Sequence, residues 1–437
     1  MLPVTVAWQN WSGTERSNPA LELSPEGADQ ISDTVRLART TGTTVKPIGA
    51  SHSFTAIGAT EGIRLDLSRL RGLVNADLGR SRVTLWAGTR LWELPHILNP
   101  LGLALENMGD IDRQTISGAT STGTHGTGLA LGGIATRVVG ATLVDGTGGI
   151  RVIDEESSPE LLPAVALGLG ALGVLVTVTI QCVPRFLLRA VEAPAPLAEV
   201  LENYVELNRA SDHFEFYWFP HTKGTRTKTN TRLPLDAGTK PLGRASRFVD
   251  EEIVNNVLLG AVVGVESLAT GITPRVNQAI EAISSRRDYT DESHRVFITR
   301  RRVKFREMEY ALPLEAVPEA LRELRVMIER KGHTVSFPIE VRAAAADDLL
   351  LSTASGRESG YIAVHRFIKD RDHEYFRDAE AILAAHDGRP HWGKMHTLGA
   401  AELAERYPGF ERFLEVRDEL DPDRVFQNAY LARVLGE

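Results

Sequence analysis

The sequence predicts an α+β protein with two domains, and three observations support this fold class. A chain of 437 residues is longer than one hydrophobic core usually supports. Between residues 43 and 183, short β-rich runs bounded by glycine alternate with helical patterns. From Phe186 onward the strand-like segments are longer, and amphipathic helices lie among them. We therefore place a first domain at residues 1–187 and expect a second layered domain after it.

The first half carries strand patterns that end at turn-forming residues. They read TVKPIG, IRLDLS, RVTLWAG, RVVGATLVDG and VLVTVTIQCV. Helical patterns lie between them at Asp29–Thr41, Leu91–Leu98 and Pro159–Leu167. This mixture indicates a layered α/β or α+β domain and argues against a helical bundle or a β-sandwich.

The second half contains segments that look like long antiparallel strands backed by helices. The strand candidates are HFEFYWFP (213–220), VFITRRRVKFREMEYALP (296–313), TVSFPIEVRAAA and GYIAVHRFI. Leu314–Arg330 and Tyr375–His386 predict helices, and residues 233–247 predict a long mobile loop. We expect a large antiparallel sheet with helices in this domain.

Charge and composition exclude several classes of function. The net charge of −8 gives no reason to expect nucleic acid or an anionic membrane as partner. The longest apolar run, Val257–Val265, is about half of what a membrane helix needs, and it predicts a core helix. No secretory signal precedes the first domain, and the single cysteine, Cys182, excludes an internal disulfide. A cytoplasmic protein is expected.

The segment PIGASHSF, residues 47–54, is the first candidate site. A strand ends at Ile48, and three small residues follow before His52, which places an imidazole at the tip of a tight turn. Small residues let backbone N–H groups approach an anionic group closely. The alternative is a serine-capped turn with a histidine facing solvent.

The segment GDIDRQTISGATSTGTHGTG, residues 109–128, is the second candidate site. Its glycines and hydroxyls predict a long loop without helix or strand, because glycine loses backbone entropy in both. Such loops are usually functional, and this one suits a cofactor's pyrophosphate and the edge of a flat ring. A flexible linker is the alternative. A third glycine-rich turn, residues 168–173, leads into a β-branched central strand, and it is either a cofactor contact or a structural turn.

Two segments of the second half carry charged candidates. In SFPIEVR, Glu340 and Arg342 leave the same face of a strand, so they form either an exposed ion pair or a substrate-orienting pair. In HWGKMH, residues 391–396, Lys394 could hold charge near a reduced cofactor, whereas a surface loop is the alternative. We expect no metal at the two histidines of this segment, because Gly393 disfavours a helix there and no acidic residue is adjacent.

Taken in order, these segments resemble the flavin-dependent aldonolactone and alditol oxidases of the vanillyl-alcohol oxidase type. The resemblance covers essentially the whole chain and is strongest to actinobacterial gulonolactone and arabinonolactone oxidoreductases. It rests on GASHSF, ENMGDIDRQTISGATSTGTHGTG, LGALGVLVTVTIQ, HFEFYWFP, FPIEVR, HWGKMH and DPDRVFQNAYLARVLG. It implies an FAD-binding domain of the PCMH type at residues 1–187 and a substrate (cap) domain at 188–414. Residues 415–437 would return to the FAD-binding domain.

The resemblance also implies site residues. His52 matches the histidine that many members bond covalently to FAD, although Ser51 stands where relatives often have glycine. Cys182 lies in a predicted strand, so a second, cysteinyl bond to the flavin is not expected. FAD contacts are implied for Gly49, Ala50, Ser51, Ser53, Phe54, Gly109, Asp110, Ser117, Gly118, Thr120, Ser121, Gly123, Thr124, His125, Gly173, Val174 and Lys394.

The implied reaction removes a hydride and a hydroxyl proton from a sugar-derived alcohol, with the hydride passing to the flavin. Arg342 would hold substrate oxygens, Glu340 would orient Arg342 or accept a substrate hydroxyl, and Lys394 would offset charge on the reduced flavin. An aldono-1,4-lactone oxidised at C2 is the expected substrate, and an open-chain alditol such as xylitol or sorbitol is the alternative. Oxygen, a quinone or a cytochrome could be the electron acceptor. A nicotinamide dehydrogenase is disfavoured because GxGxxG is absent after the first strand.

Overall fold

A computed structural model describes residues 7–243, 273–282, 285–299, 303–370 and 374–437 of the chain. Within these ranges the strands form a three-stranded parallel sheet, a five-stranded antiparallel sheet, an eight-stranded antiparallel sheet and two short ribbons. Helices lie among and after the strands, and the predicted α+β fold class is confirmed.

The parallel sheet and the five-stranded sheet belong to the first half of the chain. The parallel sheet has the order β3-β5-β4, and the five-stranded sheet has the order β10-β9-β11-β7-β6. Strand β11 lies at the centre of the larger sheet, as the β-branched run after the third glycine-rich turn predicts. The strands of this half are β1 (Trp8–Gln9), β2 (Arg16–Ser17), β3 (Leu21–Leu23), β4 (Val45–Ile48), β5 (Ile63–Asp66), β6 (Leu73–Asp77), β7 (Arg82–Trp86), β8 (Leu103–Ala104), β9 (Val138–Val144), β10 (Ile150–Asp154), β11 (Val174–Gln181) and β12 (Val183–Pro184).

The helices of the first half are short except for the first. Ile31, Val35 and Ala38 are buried at helical spacing on that helix, which ends at Gly42 in a left-handed conformation. The pattern at 159–167 predicts a longer helix than the four residues observed there. These helices are α1 (Ala28–Thr41), α2 (Leu94–Leu98), α3 (Ile116–Ser121) and α4 (Leu162–Val165).

The prediction that residues 109–128 form a loop throughout is wrong, because α3 lies inside this segment. The Thr115 hydroxyl caps the helix by accepting a hydrogen bond from the Gly118 N–H at 3.1 Å. Ile116 and Ala119 are fully buried. Capping and burial thus outweigh the poor helix propensity of this composition.

The eight-stranded sheet belongs to the second half and is antiparallel at every pairing. Its order is β16-β13-β15-β14-β18-β19-β17-β20, so the strand that carries Glu340 and Arg342 lies in the middle. The expected large antiparallel sheet is confirmed. Its strands are β13 (Leu187–Pro196), β14 (His213–Trp218), β15 (Gly224–Leu233), β16 (Arg287–Glu292), β17 (Phe305–Pro313), β18 (Ile339–Ala344), β19 (Ser359–Phe367) and β20 (Arg389–Pro390).

Helices cover the large sheet and complete the chain. The two long helices at Val317–Lys331 and Glu374–Ala385 pack against each other. The first also packs against β19 and the second against β17, as their predicted apolar spacing requires. The helices of this half are α5 (Leu197–Glu202), α6 (Tyr204–Arg209), α7 (Thr273–Ala282), α8 (Ser293–Phe297), α9 (Val317–Lys331), α10 (Glu374–Ala385), α11 (Ala400–Arg406), α12 (Phe410–Leu420) and α13 (Ala429–Leu435).

The single long strand predicted at 296–313 is wrong. Helix α8 ends at Phe297, and β17 begins only at Phe305. Val296 and Phe297 are both buried, and the Phe297 ring meets the His213 ring at 5.2 Å. A strand would point these two neighbours to opposite faces, whereas the helical turn buries both.

Two further predictions fall wholly or partly outside the described residues. The apolar run Val257–Val265 lies outside them, and so does the end of the predicted loop at 233–247. The described part of that loop contains a 3-10 turn at Leu235–Ala237 and pairs Lys240 with Thr290. Among the described residues, no helix has the length and apolar character needed to cross a bilayer.

The C-terminal segment contacts the sheets of the first half. The Val45 N–H donates to the Val425 carbonyl at 2.8 Å, and the Gly146 N–H donates to the Leu420 carbonyl at 2.7 Å. The Asn428 side chain donates to carbonyls of residues 56, 57 and 59. These contacts support the division into 1–187, 188–414 and 415–437, which stays a proposal.

Candidate active site

The His52 turn follows directly from the end of β4, as predicted. Ser51 adopts a left-handed conformation with φ of 57°, which explains why glycine would suit this position. The Trp8 indole N–H donates to the Ser51 hydroxyl at 2.9 Å, and the Phe54 N–H donates to the Gly393 carbonyl at 2.7 Å. The turn is therefore fixed on both sides of His52.

The His52 ring is half-buried and stacks on Trp11, with ring centroids 5.6 Å apart. Burial, together with the nearby cations Arg90, Lys394 and Arg113, lowers the pKa of His52 to about 4. The imidazole is thus neutral at pH 7 and keeps a nucleophilic lone pair. The alternative of a histidine that faces solvent does not fit this half-buried, stacked ring.

A cleft enclosing about 830 Å³ lies between the His52 turn, α3 and the glycine-rich turn before β11. Its walls contain no room for larger residues at key points: a Cβ on Gly49 would lie 2.2 Å from the Thr115 hydroxyl oxygen. A Cβ on Gly173, which has φ of 158°, would lie 2.6 Å from the Val144 carbonyl oxygen. Glycine at these two positions therefore lets the elements of the cleft wall pack closely against each other.

Most of the predicted cofactor contacts line this cleft or the cavity that adjoins it. The cleft is lined by Gly49, Ala50, Ser51, His52, Ser53, Ser117, Gly118, Ser121 and Gly173. The adjoining cavity, of about 720 Å³, shares His52 and Ser53 and is also lined by Phe54, Gly109, Asp110, Thr124, His125, Glu340, Arg342 and Lys394. The structure places Thr120, Gly123 and Val174 outside both linings.

The structure adds cleft residues that the sequence did not single out. Gln114 and Thr122 line both the cleft and the cavity, and Lys46 and Gly170 line the cleft alone. Gln114 and Thr122 belong to the glycine-rich segment at residues 109–128, whose length was the feature that indicated a functional segment. Lys46 carries no such signal, because its position before the turn is typical of any strand.

Arg342 and Glu340 form a buried pair, so the alternative of an exposed ion pair is wrong. Their relative exposures are 8% and 5%. Arg342 Nη2 pairs with Glu340 Oε1, which also accepts a hydrogen bond from the Tyr217 hydroxyl at 3.3 Å. Burial alone would lower the pKa of Arg342, but Glu340, Glu215 and Asp110 outweigh it and raise the pKa well above its usual value. Arg342 is therefore a permanent cation in the cavity wall.

Lys394 is the second cation of the cavity. Its Nζ lies 2.5 Å from Glu307 Oε2 and 5.3 Å from the centre of the Phe54 ring. Burial opposes the charge, but Glu307 and Glu309 outweigh it and raise the pKa of Lys394. The surface loop considered for this segment is therefore wrong, since Lys394 lies in the cavity and both Trp392 and His391 are buried.

His125, Glu309 and His391 form a buried cluster with the residue types of a metal site. The hydrogen bond at His391 argues against a metal here. His391 Nδ1 accepts from the Gly393 N–H at 3.0 Å, so the neutral ring carries its proton on Nε2. His125 Nδ1 lies 2.9 Å from the Gly126 carbonyl, which can only accept, and His125 Nε2 lies 3.4 Å from Glu309. The prediction that His391 and His396 hold no metal together remains a prediction.

The single cysteine is buried in the core. Burial raises the pKa of the Cys182 thiol to about 12, although Arg137 opposes this shift. A thiol of this kind is unreactive at neutral pH.

Comparison with known proteins identifies related sequences over the whole chain. A family model described as D-arabinono-1,4-lactone oxidase matches residues 178–434, and an FAD binding domain model matches residues 19–154. An L-gulono-1,4-lactone dehydrogenase of Mycobacterium tuberculosis strain H37Rv is 40% identical over 429 residues, covering 98% of this chain and 99% of the relative. An L-gulonolactone oxidase of Bos taurus is 33% identical over 436 residues, covering 98% of each chain.

Solved structures share the fold at low sequence identity. A solvent-stable cholesterol oxidase superposes with a TM-score of 0.80 and 18% identity, covering 99% of this chain and 98% of the other. A cholesterol oxidase from B. sterolicum has a TM-score of 0.78, also at 18% identity, covering 98% and 96%. This likeness shows the fold alone.

Proposed function

The chain belongs to the D-arabinono-1,4-lactone oxidase family, and we propose from that premise that it oxidises an aldono-1,4-lactone at C2 with FAD. L-gulono- and D-arabinono-1,4-lactone are the substrates to test first, because these lactones are named in its relatives. The observation that carries the proposal is the meeting of the two cations Arg342 and Lys394 in one cavity that opens to the His52 cleft.

FAD fits the residues present in the cleft. The cleft is lined by Gly49 and Gly173, where a Cβ would clash with other atoms of the protein, and by the hydroxyl-bearing residues Ser53, Ser117 and Ser121. Small residues and hydroxyl donors suit a pyrophosphate and a ribityl chain. When bound, FAD supplies the two-electron acceptor that takes a hydride from the carbinol carbon.

The residues of the cavity would bind and orient the lactone. Arg342 would hold the C2 oxygen while its hydroxyl proton passes to solvent, because a buried guanidinium stabilises developing negative charge. Glu340 would fix the guanidinium in this orientation, since it pairs with Nη2 and is itself held by Tyr217. Lys394 would offset negative charge that develops at the cofactor after the hydride leaves the substrate.

His52 would hold FAD covalently. The neutral imidazole, stacked on Trp11, lies where the cleft and the cavity meet, and its lone pair is available at neutral pH. The covalent bond and the choice among oxygen, a quinone and a cytochrome as electron acceptor rest on the family resemblance. A cytoplasmic location rests on the single cysteine.

The test is to record the visible spectrum of the purified protein and add lactones anaerobically. Bleaching of the flavin band by L-gulono- or D-arabinono-1,4-lactone, but not by xylitol, is the expected result. Bleaching by xylitol alone would replace the lactone with an alditol as substrate. A protein that is colourless and takes up no FAD would refute the proposal.

The variant Arg342→Ala tests the role of the cavity in the same assay. We expect this variant to keep its flavin spectrum and to lose at least about 100-fold in bleaching rate, as for removal of an oxyanion-stabilising donor. Admission of air afterwards separates an oxidase, which recolours fast, from a dehydrogenase. A bleaching rate equal to wild type would remove Arg342 from the mechanism.

A further inference from the structure

Each of the two cavity cations is anchored by a buried carboxylate that the sequence did not single out. Arg342 Nε donates to Glu215 Oε2 at 3.0 Å, and Lys394 Nζ lies 2.5 Å from Glu307 Oε2. Glu215 and Glu307 are both 5% exposed. The two anchors lie on different strands, β14 and β17, on opposite sides of the strand pair that carries Glu340 and His365.

Each of these carboxylates has a second nitrogen-bearing side chain near its other oxygen. Lys228 Nζ lies 3.4 Å from Glu215 Oε1, and His365 Nε2 lies 3.4 Å from Glu307 Oε1. Lys228 is 9% exposed and His365 is 2% exposed. A carboxylate with both oxygens engaged cannot rotate, and it therefore holds its cavity cation in one direction.

The backing groups are themselves fixed by the backbone. Lys228 lies directly opposite Glu215 in the register of β15 and β14, and its amine also donates to the Val296 carbonyl at 3.0 Å. His365 Nδ1 lies 3.0 Å from the Pro338 carbonyl. Because a carbonyl can only accept, Nδ1 carries a proton, and Nε2 is the ring nitrogen that faces Glu307.

Electrostatics agree with this arrangement. Burial opposes ionisation of Glu215, but Lys228 and Arg342 outweigh it and lower its pKa to about 2. Burial likewise opposes ionisation of Glu307, and Lys394 and His365 outweigh it and hold its pKa well below the usual value. Both anchors are therefore carboxylates at neutral pH.

We propose that Glu215 and Glu307 are positioning residues of the reaction, which aim Arg342 and Lys394 into the cavity while Lys228 and His365 lock them from behind. The inference rests on the proposed function for what the two cations do. It extends that function by assigning to four further residues the orientation of the charges that act on the substrate and on the cofactor.

The Arg342 arm is tested with Glu215→Gln, Lys228→Met and the double variant, using the rate of anaerobic bleaching by a lactone active on the wild type. A displaced guanidinium should lower the limiting rate by roughly 10- to 100-fold with less effect on half-saturation. In Glu215→Gln alone, the charge of Lys228 loses its partner Glu215. The double variant removes both charges, so a slow rate there cannot come from an unpaired Lys228. We expect the double variant to remain slow.

Glu192→Gln is the matched control for that arm. Glu192 is a half-buried carboxylate on β13 that accepts a hydrogen bond from Tyr289 and pairs with Arg226 rather than with Arg342. We expect it to keep the wild-type limiting rate. A wild-type rate in Glu215→Gln, or recovery of that rate in the double variant, would overturn the inference for Glu215. Thermal melting of each variant shows whether it is folded.

The Lys394 arm is tested without any substrate. In Glu307→Gln and in Glu307→Gln/His365→Gln, the midpoint potential and visible spectrum of the bound flavin are measured by equilibration with a reference dye. If Lys394 is redirected, the midpoint potential and the spectrum should shift relative to wild type in each of the two variants. The ratio of bound FAD to protein should stay unchanged. A potential and spectrum identical to wild type would overturn the inference for Glu307. This measurement stands even if no lactone bleaches the wild type, so the two proposals fail separately.

Discussion

At the scale of single residues, the chemistry of the cavity follows from where charge is buried. His52 is kept neutral by burial and by three nearby cations, whereas Arg342 and Lys394 are kept charged by buried carboxylates. The lining of one cavity therefore contains both a nucleophilic imidazole and two permanent cations. This contrast depends on the burial that the tertiary structure creates.

The proposed covalent bond to FAD gives the first prediction at this scale. In His52→Ala, FAD should be released into the supernatant on acid precipitation, whereas the wild-type pellet should stay yellow, because the variant lacks the nitrogen proposed to carry the flavin. The exposed residue His96 provides the control, and His96→Ala should retain yellow pellets. A yellow pellet from His52→Ala would assign the attachment to another residue.

Gly49 gives a second prediction for a single residue. In Gly49→Ala the new Cβ would meet the Thr115 hydroxyl oxygen at 2.2 Å, and that hydroxyl caps α3. We expect a loss of stability of about 1 kcal/mol from the cap and a lower flavin-to-protein absorbance ratio. Gly27→Ala is the control, since a Cβ there meets no atom within 4 Å. Equal flavin content in both variants would contradict a tight cleft wall.

At the scale of elements, the segments that close the cleft depend on capping by specific side chains. Thr115 caps α3, and Asn428 caps α13 by accepting from the Leu431 N–H at 2.9 Å. Asn428 also donates to the carbonyls of Ala56, Ile57 and Ala59 at 3.2, 3.1 and 2.9 Å. A single amide thus starts the last helix and fastens it to the segment that follows the His52 turn.

Asn428→Ala should lower the free energy of unfolding by about 2 kcal/mol, because it removes a cap and the amide that donates to three carbonyls. Asn428→Ser should lose less, since its hydroxyl can still cap the helix but is too short to reach three carbonyls. Denaturant unfolding of the two variants measures the difference. Equal losses in both would show that the cap contributes nothing measurable and that the amide–carbonyl hydrogen bonds alone matter.

At the scale of the whole molecule, Lys46 links three distant parts of the chain. Its amine, on β4, donates to the Gly170 carbonyl at 3.2 Å and to the Phe426 carbonyl at 3.1 Å. Burial and the nearby Arg417 lower the pKa of Lys46 to about 7, although Asp421 opposes this shift. The ordinary lysine pKa of about 10.4 applies to the unfolded chain.

Between pH 7 and about 10 the unfolded chain therefore binds one more proton than the folded chain, and raising the pH favours folding through this group. The stability of the wild type relative to Lys46→Met should rise across that range, by at most about 1.4 kcal/mol per pH unit. Below pH 7 the amine is charged in both states and the difference should level off. Unfolding curves at pH 6, 7, 8 and 9 measure it, and a difference that is independent of pH would contradict the lowered pKa.

The sequence by itself determined much of the molecule. The fold class, the large antiparallel sheet and the helices at 28–41 and 317–331 followed from apolar spacing and turn residues, which are local properties. The order of the motifs also indicated the family, FAD and the four residues His52, Glu340, Arg342 and Lys394. All four line the same cavity. Those residues stand in short segments whose composition is unusual, and this made them visible.

Tertiary structure alone decided what those residues are paired with. Local composition predicted a loop where burial and the Thr115 cap produce α3, and it predicted one strand where α8 and β17 lie. Glu215, Lys228, Glu307 and His365 lie in ordinary strand sequences and are brought to Arg342 and Lys394 by strands far apart in the chain. The reason is physical: period-two alternation tells which residues point inward, but only the order and register of the strands tell which inward charges meet.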